Sequence, residues 1–484
     1  MWTAIFFLLH FLIVLTFGYR IIQRKLAVTT TLAWISFVMA LPLIGLGIYF
    51  VLGDTRLDDE RRKASDRLQA LHLDTFGVDR SDVDIQDLDI PVYFKDVANS
   101  ITNDTGFHPS QGNSIQLFTG AAEKLDAIVK DIDDASRTVD MEFYTIDPQG
   151  RVENVIAALE RAAGRGVACR VLVDQMGSED FLDHAFKTRL EEAGVQVVTS
   201  LSINFIEVFL HRKDLRNHRK LIIIDHKVGY TGSYNLEDPD YFMEDEDPEK
   251  WVDILMRLEG HVVGSLATIL HTDFMCDRGD LEAQAPDASA SDYEKRVPKG
   301  DDGAVIQVIP SGPEMQPSLI YNLIVSAIFG AEKKITVITP YFVPDDAFLL
   351  ALTTAAKRGR DVTLILPKEL DSILVKYSSQ ASFSTLLDAG VKIMWFKTDM
   401  LHTKALLIDD GISFVGTVNM DMRSFYLNLE LTMVVYDEGF AAEMAAVADS
   451  YLENCEAVDP EIWEQRGKRR RFRENVLRLA APVL

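Results

Sequence analysis

The chain has 484 residues, 48% of them hydrophobic, and a formal net charge of −25. That length leaves room for two or three domains with substantial cores, while the acidic balance argues against a nucleic-acid partner, whose phosphates require clustered Lys and Arg. The three cysteines, Cys169, Cys276 and Cys455, are far apart and show no CxxC pairing, so neither a disulfide framework nor a thiolate metal site follows.

Residues 4–17 are apolar apart from His10 and Thr16, and residues 32–52 form a longer run whose only clearly polar side chain is Ser36. Each run, the first extended toward Trp2 and Ile22, matches a helix crossing a hydrocarbon core of ~30 Å. A cleaved signal peptide fits poorly, because the start lacks Lys and Arg and no small-residue cleavage pattern follows. Residues 1–53 are therefore predicted to form a two-helix transmembrane hairpin, in which Pro42, Gly45 and Gly47 are tolerable. The hairpin loop carries Arg20, Arg24 and Lys25, whereas the next segment carries Arg56, Arg61, Arg62, Lys63 and Arg67. The larger basic cluster predicts a multi-pass protein of the membrane with its main domains in the cytoplasm. Residues 54–110, polar and acidic, read as a juxtamembrane connector.

An internal repeat follows. In the first copy, residues 111–279, a strand is predicted over Thr138–Tyr144, a helix over Val155–Ala163, and strands over Val167–Val173 and Gly194–Val198. The second copy, residues 304–455, repeats the order with a strand at Lys334–Tyr341, a helix at Phe348–Lys357, and strands at Val362–Leu366 and Gly390–Met394. Alternating strands and helices predict two α/β units with mostly parallel sheets. Two copies of about 150 residues are a duplication rather than a solenoid array. The first copy holds an apolar insertion, residues 203–210, that reads equally as a buried strand or as a lipid-facing lip. Residues 280–303, rich in Ala, Asp, Ser, Gly and Pro, form the linker. The tail, residues 456–484, sets Arg466, Lys468, Arg469, Arg470, Arg471, Arg473 and Arg478 among Phe472, Val476, Leu477 and Leu479. It reads as a basic amphipathic segment suited to anionic membrane lipids.

Each copy contains His-x-Lys, four residues, Asp, six residues, then Gly-x-x-Asn: His218, Lys220, Asp225 and Asn235 in the first, His402, Lys404, Asp409 and Asn419 in the second. The doubling points to one shared site built from two halves. One imidazole can attack phosphorus and form a covalent intermediate. A second, on the far side, can protonate the leaving oxygen and then deprotonate the acceptor. Lys220, Lys404, Asn235 and Asn419, with Ser233 and Thr417 beside them, can donate to phosphoryl oxygens. No metal or other cofactor is required. In a strand, His and Lys share a face and the motif Asp points away. Asp225 and Asp409 therefore belong to the catalytic motif but read mainly as structural. Asp253 and Glu430, each downstream in an apolar strand-like run where an unpaired charge is costly, are the predicted orienting partners of the histidines.

The doubled motif resembles the phospholipase D superfamily. Leu41-Pro42-Leu43-Ile44-Gly45, Leu215 to Lys220, Thr339 to Pro344, and Gly416 to Ser424 resemble the bacterial cardiolipin synthases within it. The resemblance implies two tandem phospholipase D-like repeats forming a pseudo-twofold pair. It also implies a phosphatidyltransferase of the bacterial inner membrane that joins two phosphatidylglycerols into cardiolipin and releases glycerol. His218 is then the nucleophile and His402 the general acid/base, roles the motif symmetry allows to be exchanged. The acidic stretch after Asn235 (Glu237, Asp238, Asp240, Glu244 to Asp247, Glu249) departs from the expected pattern and reads as a solvated loop. The motifs alone leave water as a rival acceptor, which would make the protein a hydrolase. Charge and the apolar N-terminus count against a nuclease, and intact motifs count against a catalytically dead scaffold.

Overall fold

The computed structural model describes residues 2–23, 28–52, 59–76, 84–183, 185–201, 215–241, 250–280, 303–315, 318–370 and 372–479. Two compact units divide the chain: residues 1–60 with 203–215, and residues 61–202 with 216–484. The insertion at 203–210, the acidic residues 244–249 and nearly all of the linker lie outside the described residues.

In the first unit the apolar runs form α1 (Trp2–Gln23), α2 (Val28–Ala40) and α3 (Pro42–Leu52). The second run, expected as one spanning helix, is broken. Pro42 cannot donate into a continuing helix and disfavours helical geometry at Leu41, and it opens α3 as its first residue. A Cβ added at Gly45 would lie 3.0 Å from the backbone O of Phe37, so α3 folds back against α2. Tyr49 of α3 is buried beside Trp34 of α2, with ring centroids 5.2 Å apart. Among the described residues no helix is long and apolar enough to cross a membrane.

The second unit is organised by one sheet. The first repeat supplies β1 (Ser110–Phe118), β2 (Thr138–Phe143), β3 (Ala168–Asp174), β4 (Gln196–Ser200), β5 (Leu221–Ile224), β6 (Val228–Gly232), β7 (Trp251–Val252) and β8 (Leu255–Glu259). The second supplies β9 (Ala304–Ser311), β10 (Lys334–Ile338), β11 (Phe342–Val343), β12 (Asp361–Pro367), β13 (Lys392–Phe396), β14 (Met400–Leu401), β15 (Ala405–Ile408), β16 (Ile412–Gly416), β17 (Met420–Asp421), β18 (Glu430–Tyr436) and β19 (Cys455–Ala457). Fifteen of these strands pair in the order β4-β3-β2-β5-β6-β8-β1-β9-β18-β16-β15-β10-β12-β13-β19. Read outward from the antiparallel β1–β9 junction, the two halves follow the same order, and β19 adds an edge strand to the second.

Within this fifteen-stranded sheet only β2, β3 and β4, and likewise β10, β12 and β13, pair in parallel; the inner strands are antiparallel. The expectation of mostly parallel sheets fails because short turns join β5 to β6 and β15 to β16, and a strand reversed by a tight turn must pair antiparallel. Both faces of the sheet are covered. Val139, Met141, Ile222 and Ile224 pack on one side with Val155 and Leu159 of the helix Val152–Gly164. Leu221 and Ile223 face the opposite side and pack with Val263, Leu266 and Leu270. The period-two alternation thus has two apolar destinations, as a doubly covered sheet requires.

The described part of the expected connector is built into this unit. Its helices are α4 (Asp59–Thr75) and α5 (Val92–Thr105). Phe94, Val97 and Ile101 of α5 join the second repeat's core beside Leu323, Ile324 and Ile328. Tyr93 donates to the Ser326 carbonyl at 2.9 Å, and a Cβ on Gly330 would collide with its ring. Arg61 of α4 pairs with Asp277 at 2.6 Å and Glu314 at 2.7 Å. The polar composition concealed helices that bury a single face.

Candidate active site

Each His-x-Lys precedes a strand whose neighbours hold it rigidly. In each Gly-x-x-Asn segment the glycine abuts the backbone of the adjacent strand: a Cβ on Gly232 would collide with the Ile254 carbonyl, and one on Gly416 with the Leu431 carbonyl. That close approach fixes the segment beside the strand that leads from, or begins with, the orienting carboxylate.

The two repeats then exchange partners. The backbone N–H of His218 donates to the Leu429 carbonyl at 2.9 Å, and Leu429 donates to the Arg216 carbonyl at 2.8 Å. On the other side, β14 pairs with β7, and the N–H of His402 donates to the Val252 carbonyl at 2.9 Å. These backbone bonds bring the Nδ1 of His218 to the carboxylate of Glu430 at 2.9 and 3.1 Å. They bring the Nδ1 of His402 to Asp253 at 2.9 and 3.0 Å. Each imidazole is therefore oriented by a carboxylate from the other repeat. With Nδ1 bonded to a carboxylate, the N–H resides there and Nε2 is left as the lone-pair nitrogen.

The electrostatics follow from burial. His218 is pushed down to about 4 by burial, which outweighs the pull of Glu430. His402 is pushed down to about 3 by burial against the pull of Asp253. Lys404 acts on His218 and Lys220 on His402, so the two motifs share one electrostatic environment. Burial also lowers Lys220 to about 8 and Lys404 to about 7. Asp253 is raised by burial, yet His402 beside it brings it down to about 2. The site thus holds neutral imidazoles next to two lysines. An anionic phosphodiester bound between them favours the charged forms of both lysines and of the imidazole that must donate a proton.

The other anticipated residues divide into two groups. Asn235 and Asn419 are 3% and 5% exposed, and among the described residues the side-chain oxygen of each has no hydrogen-bond partner. Lys220 and Lys404 each donate to the carbonyl of their own motif histidine, at 3.0 and 2.6 Å. Ser233 and Thr417, in contrast, are not phosphate donors. The Thr417 hydroxyl donates to Glu430 at 2.5 Å and accepts from the Leu431 N–H, while the Ser233 hydroxyl accepts from the Ile254 N–H at 3.1 Å. Both are fully buried and hold the carboxylate-bearing strands in register.

Asp225 and Asp409 are also not part of the reacting constellation. They occupy the tight turns after β5 and β15 with φ of 52° and 53°, a region that Asp tolerates better than most residues. The Asp225 carboxylate accepts from the N–H groups of Ser136, Arg137 and Thr138 and from the Ser136 hydroxyl, at 2.7 to 2.9 Å. Asp409 accepts from the N–H groups of Glu332, Lys333 and Lys334. Each ties the turn to the start of the neighbouring strand. Asp225→Ala is expected to lower the unfolding free energy by about 2–4 kcal/mol, because it strands three backbone donors and places Ala in a left-handed conformation. Chemical denaturation measures the loss; turnover per folded molecule should stay within a few-fold of wild type, roughly, since no reacting group is touched.

Several residues carried no sequence signal. The ring of Tyr144 lies edge-on to His218 at 5.1 Å, with the Lys220 ammonium 5.6 Å from its centroid. Trp251 covers His402 at 4.2 Å. Arg219, read only as the variable position of its motif, is buried, ion-pairs with Asp273 and donates to the Glu430 carbonyl at 3.1 Å. Glu237, expected in a solvated loop, is fully buried, and Asp238 is nearly so. Only its position two residues beyond Asn235 hinted at this. Among the described residues, no group of three His, Cys, Asp or Glu is arranged to hold a metal ion.

A family profile described as "Cardiolipin synthase, PLD-like domain" matches residues 128–247 and 324–452. Over 496 aligned positions the chain is 36% identical to Cardiolipin synthase A of Yersinia pseudotuberculosis, covering 100% of this chain and 98% of the relative. It is equally similar to the Yersinia pestis protein of the same name. Among solved structures, the phosphatidylserine synthase of Haemophilus influenzae Rd KW20 superposes with a TM-score of 0.59 at 12% identity, over 81% of this chain and all of that one, which speaks to fold.

Proposed function

The chain belongs to the cardiolipin synthase family of phospholipase D-like proteins, and from that premise we propose that it transfers a phosphatidyl group from one phosphatidylglycerol to another, giving cardiolipin and glycerol. The observation that carries this reading is the exchange of carboxylates: His218 with Glu430 and His402 with Asp253. Two imidazoles, each held by a carboxylate of the opposite repeat and each in the field of both motif lysines, suit an in-line exchange at one phosphorus.

In the first half-reaction the Nε2 of His218 attacks phosphorus while the Nε2 of His402 gives its proton to the departing glycerol oxygen. A phosphohistidine results, and Lys220 and Lys404 offset the charge on the non-bridging oxygens. In the second half-reaction the hydroxyl of another phosphatidylglycerol loses its proton to His402 and attacks phosphorus, breaking the P–N bond. One phosphodiester replaces another, so no activated nucleotide is needed.

We further propose that the enzyme works at a bacterial inner membrane, with its catalytic unit on the cytoplasmic side. The apolar α1–α3 segment supports attachment to a bilayer, and the basic residues Arg62, Lys63 and Arg67 support that orientation. The C-terminal helix Lys468–Arg478 and the residue after it leave Phe472 and Leu479 exposed, at 72% and 80%, among Arg and Lys side chains. That surface suits anionic lipids.

Labelled phosphatidylglycerol in detergent micelles, incubated with the purified chain, tests the reaction. Cardiolipin and free glycerol in equal amounts are the expected products. Phosphatidic acid alone would make the protein a hydrolase and defeat the proposal.

A further inference from the structure

Lys124 lies on the apolar face of the helix Ala121–Asp133, in line with Leu125, Ile128 and Ile132. It is 2% exposed, so its stem does not carry the ammonium out to water, as a lysine on an apolar face usually does. The duplication shows that the fold itself demands no cation there. Asp225 accepts from the N–H of Ser136 and Asp409 from that of Glu332, so these two positions correspond. Counting back equally from each, the counterpart of Lys124 is Ile320, which is buried in the second repeat's core.

The repeats differ in how the orienting carboxylate is held. Glu430 opens β18, pairs there with Ser311 of β9, and its carbonyl accepts from Arg219 at 3.1 Å. Asp253 falls in the break between β7 and β8, outside both strands. The residues on either side of it are fixed: the Val252 carbonyl accepts from the N–H groups of His402 and Thr403 at 2.9 and 3.0 Å, and the Ile254 N–H donates to the Ser233 hydroxyl. The carbonyl of Asp253 itself has one partner among the described residues, the Lys124 ammonium at 2.5 Å. The same ammonium lies 4.8 Å from the ring centroid of Tyr234, the residue before Asn235. A buried carbonyl needs a partner, and where no neighbouring strand supplies one a side chain must.

We propose that Lys124 is a positioning residue for the acid–base half of the reaction: by fixing the peptide at Asp253 it sets the direction from which that carboxylate meets Nδ1 of His402. A shift of the backbone at 253 would move the carboxylate and turn the imidazole, whose Nε2 must meet the alcohol oxygen. This rests on the reading of His402 given above and deepens it, since the two histidines then have different supports: a strand ladder behind Glu430 and a single side chain behind Asp253. Lys124 touches no substrate and moves no proton.

The test follows glycerol release from labelled phosphatidylglycerol in detergent micelles by the full-length enzyme, with kcat expressed per folded molecule from circular dichroism. Lys124→Met keeps the stem and removes the donor. It should lower kcat by about 10–100-fold, the scale of an ångström's misplacement of a reacting group, and leave KM within about twofold. Lys124→Leu replaces it if the Met variant does not fold, and Lys124→Arg, which still donates, should recover most of the loss. A double-variant cycle separates positioning from general loosening. With Asp253→Asn already present, Lys124→Met should cost no more than about twofold, because the carboxylate it places is gone; with Thr417→Ala, which loosens Glu430 behind the other histidine, it should cost its full factor. Equal costs in the two backgrounds overturn the proposal, as does an unchanged kcat per folded molecule in the Met or Leu variant. A wild type that makes only phosphatidic acid defeats the transfer reading and leaves this one standing, because hydrolysis releases glycerol through the same His402. A wild type that releases no glycerol defeats both.

Discussion

His218→Ala and His402→Ala are each expected to lower phosphatidyl transfer by about 10⁴-fold or more, and the double variant should lose little beyond either single one, because residues that act as one unit are strongly non-additive. Without His218 no covalent intermediate forms. Without His402 the departing glycerol oxygen leaves unprotonated and the acceptor hydroxyl keeps its proton. Both side chains are nearly buried, at 8% and 3% exposed, so thermal denaturation must accompany the assay to separate lost chemistry from lost folding. The two variants should also differ in one respect. His402→Ala keeps the nucleophile and lacks the base that frees the intermediate, so phosphatidyl label should collect slowly on His218. His218→Ala should collect none. Label mapped to His402 in wild type would exchange the two roles, which the matched geometry permits. Label on neither residue, with transfer persisting in both variants, would defeat the shared-site mechanism.

Much of this site was legible because its chemistry repeats. Two copies of His-x-Lys at matching places in a duplicated α/β pattern identify His218, Lys220, His402 and Lys404. Strand parity set Asp225 and Asp409 apart from the histidines, and both serve as turn caps. Asp253 and Glu430 were legible as carboxylates too costly to bury alone. Their crossing was not: Glu430 lies 212 residues from His218 and Asp253 lies 149 from His402, and no local pattern specifies pairings at that range. Ser233 and Thr417 were misread because a hydroxyl beside a catalytic Asn looks the same in sequence whether it faces the substrate or the strand behind it.

The other departures share a cause: composition averages over faces. The segment holding α4 and α5 is polar overall, yet Phe94, Val97 and Ile101 are spaced to bury one face. Glu237 sits in an acidic stretch whose average suggests solvent, and its own side chain is wholly enclosed. In the N-terminal unit the count of apolar residues across 32–52 was correct, but it took no account of direction. Pro42 and Gly45 together reverse the chain, one by ending α2 and the other by admitting its backbone at close range.

Asp253→Asn and Glu430→Gln are expected to lower kcat by about 10³–10⁴-fold, the scale seen when the carboxylate behind a catalytic imidazole becomes an amide. An amide can still accept from Nδ1–H, but it can equally present its NH₂ group and favour the wrong tautomer, with the lone pair on Nδ1 and the proton on Nε2. It also removes the negative charge that stabilises the imidazolium of His402 and the positively charged phosphohistidine of His218. The two variants should not be equal. Glu430 accepts from the Thr417 hydroxyl and from Asn428 as well as from His218, so Gln at 430 must turn its NH₂ toward a donor. The Asp253 carboxylate has His402 as its hydrogen-bonding partner, while the nearby Lys124 donates to the Asp253 backbone carbonyl. Glu430→Gln should therefore lose stability as well as rate, and Asp253→Asn mainly rate. Because each carboxylate serves the histidine of the other repeat, the pairs Glu430–His218 and Asp253–His402 should couple in double-variant cycles, whereas Asp253–His218 and Glu430–His402 should couple more weakly. Rates within about tenfold of wild type for both amides would show that neither carboxylate holds the reacting tautomer. Stronger coupling within each repeat than across them would contradict the exchange of partners on which the shared site depends.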